Sequence, residues 1–152
     1  MGAKEKWNSN LFKHTNIYFY LTYIIVVVVI FGYGHYRCKH IKDHTDILEF
    51  QLFEHKSLKN FDGWCCTHFV LFFIMGYLFP HSIRLSFLFS VIWELFEYYN
   101  GKYRPEVLKN IGSCESTNSN KNLLWWYGKW EDILINSIGL FIGRTLRLGF
   151  VL

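Results

Sequence analysis

The sequence predicts an all-α, polytopic membrane protein of about four transmembrane helices with an added amphipathic interfacial helix. Half of its 152 residues are apolar (51%) and a fifth are aromatic (20%), with only two prolines. That aromatic share is far above the usual composition of a soluble domain. The apolar residues also gather in long runs instead of alternating with polar ones, the pattern of membrane helices.

Residues 1–15 form a polar, basic tail. It opens MGAKEK, where Lys6 stands in the place a myristoylation signal reserves for Ser or Thr. Asn16 to Gly34, NIYFYLTYIIVVVVIFGYG, has no charge over 19 residues. At ~1.5 Å per residue it nearly spans a ~30 Å hydrocarbon core, and its terminal tyrosines resemble an aromatic belt. It is the clearest transmembrane anchor, too long for a cleavable signal. Residues 35–61 are charged, with spaced apolar positions (Ile47, Phe50, Leu52, Phe53, Leu58, Phe61), and predict the amphipathic segment.

Residues 62–152 predict a three-helix membrane core. DGWCCTHFVLFFIMGYLFP (62–80) is the first of these helices, closed by Pro80, and LSFLFSVIWELFEYY (85–99) follows after a short turn. A loop over 100–130 contains the turn-rich NIGSCESTNSNKN and the interfacial aromatic cluster LLWWYGKW. The last helix runs from about Glu131 to the C-terminus, with Arg144 and Arg147 snorkelling to the far interface.

The net charge of +4 is modest, and the basic residues lie in the connecting segments. This favours anchoring to lipid headgroups over nucleic-acid binding. Ten Lys and Arg in the two longer loops against six on the opposite side favour a cytosolic placement of those loops. The four cysteines, Cys38, Cys65, Cys66 and Cys114, include no CxxC, and their spacing suggests neither a disulfide framework nor a zinc site. Cys65 and Cys66 are expected to act as small apolar residues of a membrane helix.

The informative residues are polar ones in apolar surroundings: His68, Glu94, Glu97, Glu131, Asp132 and Asn136. An ionisable residue in a span costs roughly 2.5–3.5 kcal/mol on insertion scales, so it points to function. Glu94 and Glu97, at i and i+3, share a helix face; Asp132 and Asn136, at i and i+4, share another, continued by Gly139 and Gly143. Gly139 and Gly143 form a GxxxG whose expected role is close helix packing. The predicted topology brings all six polar residues to one membrane surface. Several bare carboxylates there repel one another, and a divalent cation, a proton or a basic partner would relieve them. Carboxylate oxygens suit Ca²⁺, Mg²⁺ or Mn²⁺, with Glu94, Glu97 and Glu131 (or Asp132) as expected metal ligands. Arg104, in GKYRPE, is placed to clamp a lipid phosphate.

The order Asp62-x5-His68, then Trp93-Glu94-x-x-Glu97, Arg104, and E-D-I-L-I-N-S-I-G-L-F-I-G from Glu131 resembles the VanZ-like membrane family. Glu131 occupies that family's usual Asp position, while Asp132 has the better helical geometry towards Asn136, so both remain candidates. Trp93-Glu94-x-x-Glu97 and the Trp125–Asn136 segment are also similar to the core of the base-exchange phosphatidylserine synthases of animals, over about residues 62–145.

These resemblances imply a multi-pass membrane enzyme that transfers phosphatidyl groups or exchanges lipid headgroups. They imply a membrane lipid and a small-molecule headgroup acceptor as partners. His68, Glu94, Glu97, Glu131, Asp132 and Asn136 would be catalytic; Arg104, Asp62 and Trp93 would bind substrate. In that scheme His68 acts as general base or as nucleophile. A non-catalytic lipid-binding or resistance-type membrane protein is the alternative, and a small transporter a third. Acids at one surface and the lack of an internal repeat weigh against transport.

Overall fold

Among the described residues four α-helices form, one for each apolar run: α1 (Ile17–His40), α2 (Gly63–Leu78), α3 (Ile83–Tyr103) and α4 (Trp130–Leu148). The structure is a computed structural model that describes residues 17–40, 48, 50–52, 61–103, 105–114, 123–124 and 126–149. Between α3 and α4 lie a 3-10 turn at Glu106–Leu108 and a two-residue antiparallel ladder, β1 (Ser113–Cys114) with β2 (Leu123–Leu124).

α1 contains seven consecutive β-branched residues, Ile24–Ile30, which are only fair helix formers in water. Of the described helices, α1 alone is long and apolar enough to cross a membrane by length and composition. α2 is apolar but has 16 residues, and α3 and α4, at 21 and 19 residues, carry charges along their length. α1 also continues six residues beyond Gly34, absorbing the start of the expected amphipathic segment. Most of that segment lies outside the described residues. Where it is described, at Phe50–Leu52, the chain is extended, with Leu52 donating to the Phe61 carbonyl and Gln51 bridging Asp62.

The bundle is polar within and apolar without. Among the described residues 29 large hydrophobic side chains are exposed, while eight hydrophobic residues are buried. On α3 the buried face is Leu85, Ser86, Ser90, Glu94 and Asn100, and the outward face carries Phe87, Leu88, Ile92 and Leu95. Buried polar groups under an apolar exterior invert the usual soluble pattern.

α2 and α4 pack tightest, through glycine. A Cβ at Gly76 would overlap the Leu140 carbonyl, one at Gly139 the Phe69 carbonyl, and one at Gly143 the Phe73 carbonyl. The GxxxG stripe therefore has the packing role its spacing predicts. Gly143→Val should lower thermal stability by about 1–3 kcal/mol, the range for overpacking. Gly32→Val, where an added Cβ meets nothing within 4 Å, is the comparison, and equal melting points for the two variants would contradict this packing.

α1 is attached mainly at its two ends. Near its start Phe19, fully buried, meets Phe79 at 5.4 Å, and Tyr23 stacks on Phe89 at 4.5 Å. Near its end Phe31 lies 5.7 Å from Trp126 and Tyr33 lies 5.6 Å from Trp64. The end is also covalently fixed, because Cys38 and Cys114 form a disulfide across 76 residues. This corrects the reading of the cysteines from spacing alone: the partners meet only because the bundle brings the 100–130 segment back to α1. Trp126 differs likewise from an interfacial residue. It is buried, 5.6 Å from Phe96, with its indole N–H donated to the Ile111 carbonyl at 2.6 Å.

Candidate functional site

The antiparallel order of α2, α3 and α4 brings the start of α2, the end of α3 and the start of α4 to the same end of the bundle. Asp62 begins the site as the N-cap of α2, its Oδ1 accepting from the backbone N–H of Trp64 (3.0 Å) and Cys65 (3.2 Å). Its other oxygen accepts from Lys129 Nζ at 2.9 Å. Asp62 therefore fixes a helix start and holds a cation. Burial works against the Lys129 charge, but the Asp62 carboxylate more than offsets this and keeps the ammonium above its ordinary pKa.

Gly128 lies so close to α3 that a Cβ there would overlap the Glu94 carbonyl. This approach delivers the next residue's backbone N–H to Glu94, with Lys129 N donating to Glu94 Oε2 at 3.0 Å. The other oxygen, Glu94 Oε1, is buried without a hydrogen-bond partner. It lies 3.7 Å from His68 Nδ1, beyond hydrogen-bonding distance. His68 Nδ1 is 3.2 Å from Asn136 Oδ1, and Asn136 donates its amide to Ser90 Oγ at 2.8 Å. Asn136 and Ser90 are fully buried, so this chain orients the imidazole from the interior.

Asp132 completes the cluster. It is 4% exposed, and Cys65 donates its thiol to Asp132 Oδ1 at 2.9 Å. Cys65 is thus a polar contact of the site as well as a small buried residue, while Cys66 is exposed. One ligand atom each from His68, Glu94 and Asp132 lies within 4.8 Å of the others. Metal–ligand bonds of about 2.0–2.3 Å put neighbouring donors roughly 3–4 Å apart, so the three residues could hold a divalent cation with a small inward adjustment of their side chains. The Glu94 Oε1 donor is oriented inward and has no competing hydrogen bond.

Glu94 and Asp132, the alternative to Glu131, belong to the group together with His68, while Glu97 and Glu131 are not in it. Glu97 lies one helical turn further along α3, where the indole of Trp93 donates to its Oε1 at 2.8 Å. Trp93 is thereby a positioning partner of Glu97. Glu131 precedes Asp132 on α4 and lies outside the cluster, so the i, i+4 partner of Asn136 is the acid that enters the site. Arg104 lies outside the described residues. Lys129, missed in the sequence, is the basic group that the site contains; its only local signal is the glycine before it.

A cleft of about 890 Å³ opens between α1 and the α2–α3 face, and His68, Glu97, Lys129 and Asp132 line its polar end. At the far end of the bundle Arg144 donates to the Pro80 carbonyl at 3.2 Å and Arg147 lies 5.5 Å from the Tyr77 ring centre. Comparison of the chain with protein-family models, curated proteins and solved structures finds no match.

Proposed function

We propose that the chain is a multi-pass membrane protein that performs phosphatidyl transfer or headgroup exchange at the His68–Glu94–Asp132 cluster, as the VanZ-like and synthase-like motifs imply. One observation carries the reading. An imidazole and two carboxylates converge within 4.8 Å, and one oxygen of that set, Glu94 Oε1, is buried without a hydrogen-bond partner. The inverted distribution of polar and apolar residues supports burying all four helices in a bilayer, with the site at one face.

Charge balance favours a cation there. Asp62, Glu94, Glu97 and Asp132 bring four carboxyl groups to this end, against Lys129 as the described lysine among them. A mixed set of one imidazole and two carboxylates suits Mn²⁺ better than Ca²⁺ or Mg²⁺, which prefer oxygen throughout. A divalent cation at these ligands would neutralise the phosphodiester as it reacts.

The chain's own residues supply the rest. Lys129, steadied by Asp62, binds the phosphate, the role the sequence suggested for Arg104. Glu97, with one oxygen fixed by Trp93, accepts the proton of the incoming alcohol. The alcohol oxygen bonds to phosphorus as the bond from phosphorus to the departing headgroup oxygen breaks, and the proton leaves on that headgroup. Asn136 fixes the imidazole. The Cys38–Cys114 disulfide is at the same end as the site. Disulfides persist in oxidising compartments, which assigns the site to the extracytosolic or lumenal face, against a ten-to-six basic bias that is small and dispersed.

Lipid mass spectrometry of membranes carrying this protein, with EDTA or with added Mn²⁺, tests the reading. A headgroup shift that needs both the protein and Mn²⁺ is expected. Identical lipid profiles in all arms would leave a lipid-binding protein and end the transferase reading.

A further inference from the structure

Resting on the membrane reading above, we propose that the cleft between α1 and the α2–α3 face is the seat of one phospholipid acyl chain, with the lipid phosphate at Lys129. The cleft exists because α1 is fastened at both ends and stands off between them. The Phe19–Phe79 and Tyr23–Phe89 contacts hold one end, and the disulfide with the Phe31–Trp126 contact holds the other.

Along its length the walls are apolar: Ile24, Val27 and Ile30 from α1 face Leu71 and Ile92 across the gap. At the site end they change to His68, Glu97, Lys129 and Asp132. A cleft apolar along its length and charged at one end matches an amphiphile. A water-soluble metabolite would leave most of it unmatched. Lys129, paired with Asp62 at 2.9 Å, would share its ammonium with the lipid phosphate, and a divalent cation at the cluster would offset the neighbouring carboxylates.

Length agrees with part of a tail. The cleft wall on α1 includes residues 20 to 33, and the open stretch between the Tyr23 and Phe31 contacts, Ile24–Ile30, is roughly 10 Å at ~1.5 Å per residue, so the seat takes the upper part of a tail and the aromatic contacts flank it. One leaflet contributes about 15 Å, half of a ~30 Å hydrocarbon core. A further helix is a poorer occupant, because close helix packing in membranes uses small residues. Gly76, Gly139 and Gly143 serve the α2–α4 contact, while branched side chains such as Ile24, Val27, Ile30 and Ile92 line the cleft. A flexible chain fills such a gap without that requirement.

The test uses the full-length protein in phosphatidylcholine vesicles that contain a phosphatidylcholine with a diazirine at mid-chain. After irradiation, peptide mass spectrometry locates the label. Leu71, Phe72 and Trp93 face the cleft, whereas Leu134, Ile138 and Phe141 on α4 face outward and report ordinary surrounding lipid. Labelling of the cleft residues is expected to exceed that of the outward residues by at least about fivefold, because a bound chain is enclosed by the cleft. Val27→Trp should remove this excess, and Ile138→Trp should leave it. Equal labelling of the two sets, an excess that survives Val27→Trp, or crosslinks showing a second copy in the cleft would overturn the proposal. The headgroup assay reports separately. Turnover without cleft labelling would overturn the acyl seat alone, and cleft labelling without turnover would overturn the transferase alone.

Discussion

Glu94→Gln is expected to reduce Mn²⁺ affinity and headgroup turnover by at least about 10²-fold, the upper range for losing even an outer partner of a metal ligand. The substitution is chosen for what it preserves. Its carbonyl still accepts the Lys129 backbone N–H that Glu94 Oε2 accepts at 3.0 Å, so the start of α4 stays on α3. The charge and the inward-facing oxygen, Oε1, are what change. Glu131→Gln, outside the cluster, should alter both readouts by no more than about twofold, equivalent to roughly 0.5 kcal/mol for a substitution away from a special site. Titration of the purified protein with Mn²⁺, followed by electron paramagnetic resonance, checks this without lipid. Wild-type affinity in Glu94→Gln, or a large loss in Glu131→Gln, would contradict the His68–Glu94–Asp132 centre.

Loss of the disulfide should have the largest effect on stability. Cys38 and Cys114 are 76 residues apart, and closing a loop of that length is worth roughly 4 kcal/mol in the chain-entropy account. Replacing both with serine should lower the melting temperature by about 8–15 °C for a domain of this size. Reductant should lower the wild type to the same value and leave the double variant unchanged. The loss should be felt first at α1, whose remaining attachments are the aromatic contacts at its ends. A membrane-impermeant reductant added to sealed vesicles also reports sidedness, because it acts only when the site face is outermost. Protection from reductant on that face would reverse the proposed orientation.

Much of the scaffold was legible in the chain. Runs of apolar residues of the right length specify the four helices in order, and helical spacing specifies which polar residues share a face. Asp132 and Asn136 meet the site together because i and i+4 lie on one stripe, and Gly139 and Gly143 pack as their spacing implies. The choice between Glu131 and Asp132 follows the same rule, since one residue is a rotation of about 100° around the helix.

Other features have no local signature. Glu97 shares its face with Glu94 yet lies a turn away along the axis, where Trp93 engages it, and it is not in the His68–Glu94–Asp132 group. His68, 64 residues before Asp132 in the sequence, meets Glu94 and Asp132 only because Gly139 lets α4 approach the Phe69 carbonyl. Lys129 reaches Asp62 and Glu94 because Gly128 rests on the α3 backbone. Nothing in WYGKW states which backbone that glycine will meet.

By itself, then, the sequence determined an all-helical chain with one clear span, an unusual set of intramembrane-type acids, and the face each acid takes on its helix. These depend on hydropathy and on 3.6-residue periodicity, which are local properties. Only the tertiary structure decided which residues form the His68–Glu94–Asp132 group, the Lys129–Asp62 ion pair, the Cys38–Cys114 bond and the cleft beside α1. Each depends on how far two helices slide and how closely they approach, and those distances are set by glycines and aromatic contacts acting between segments far apart in the chain.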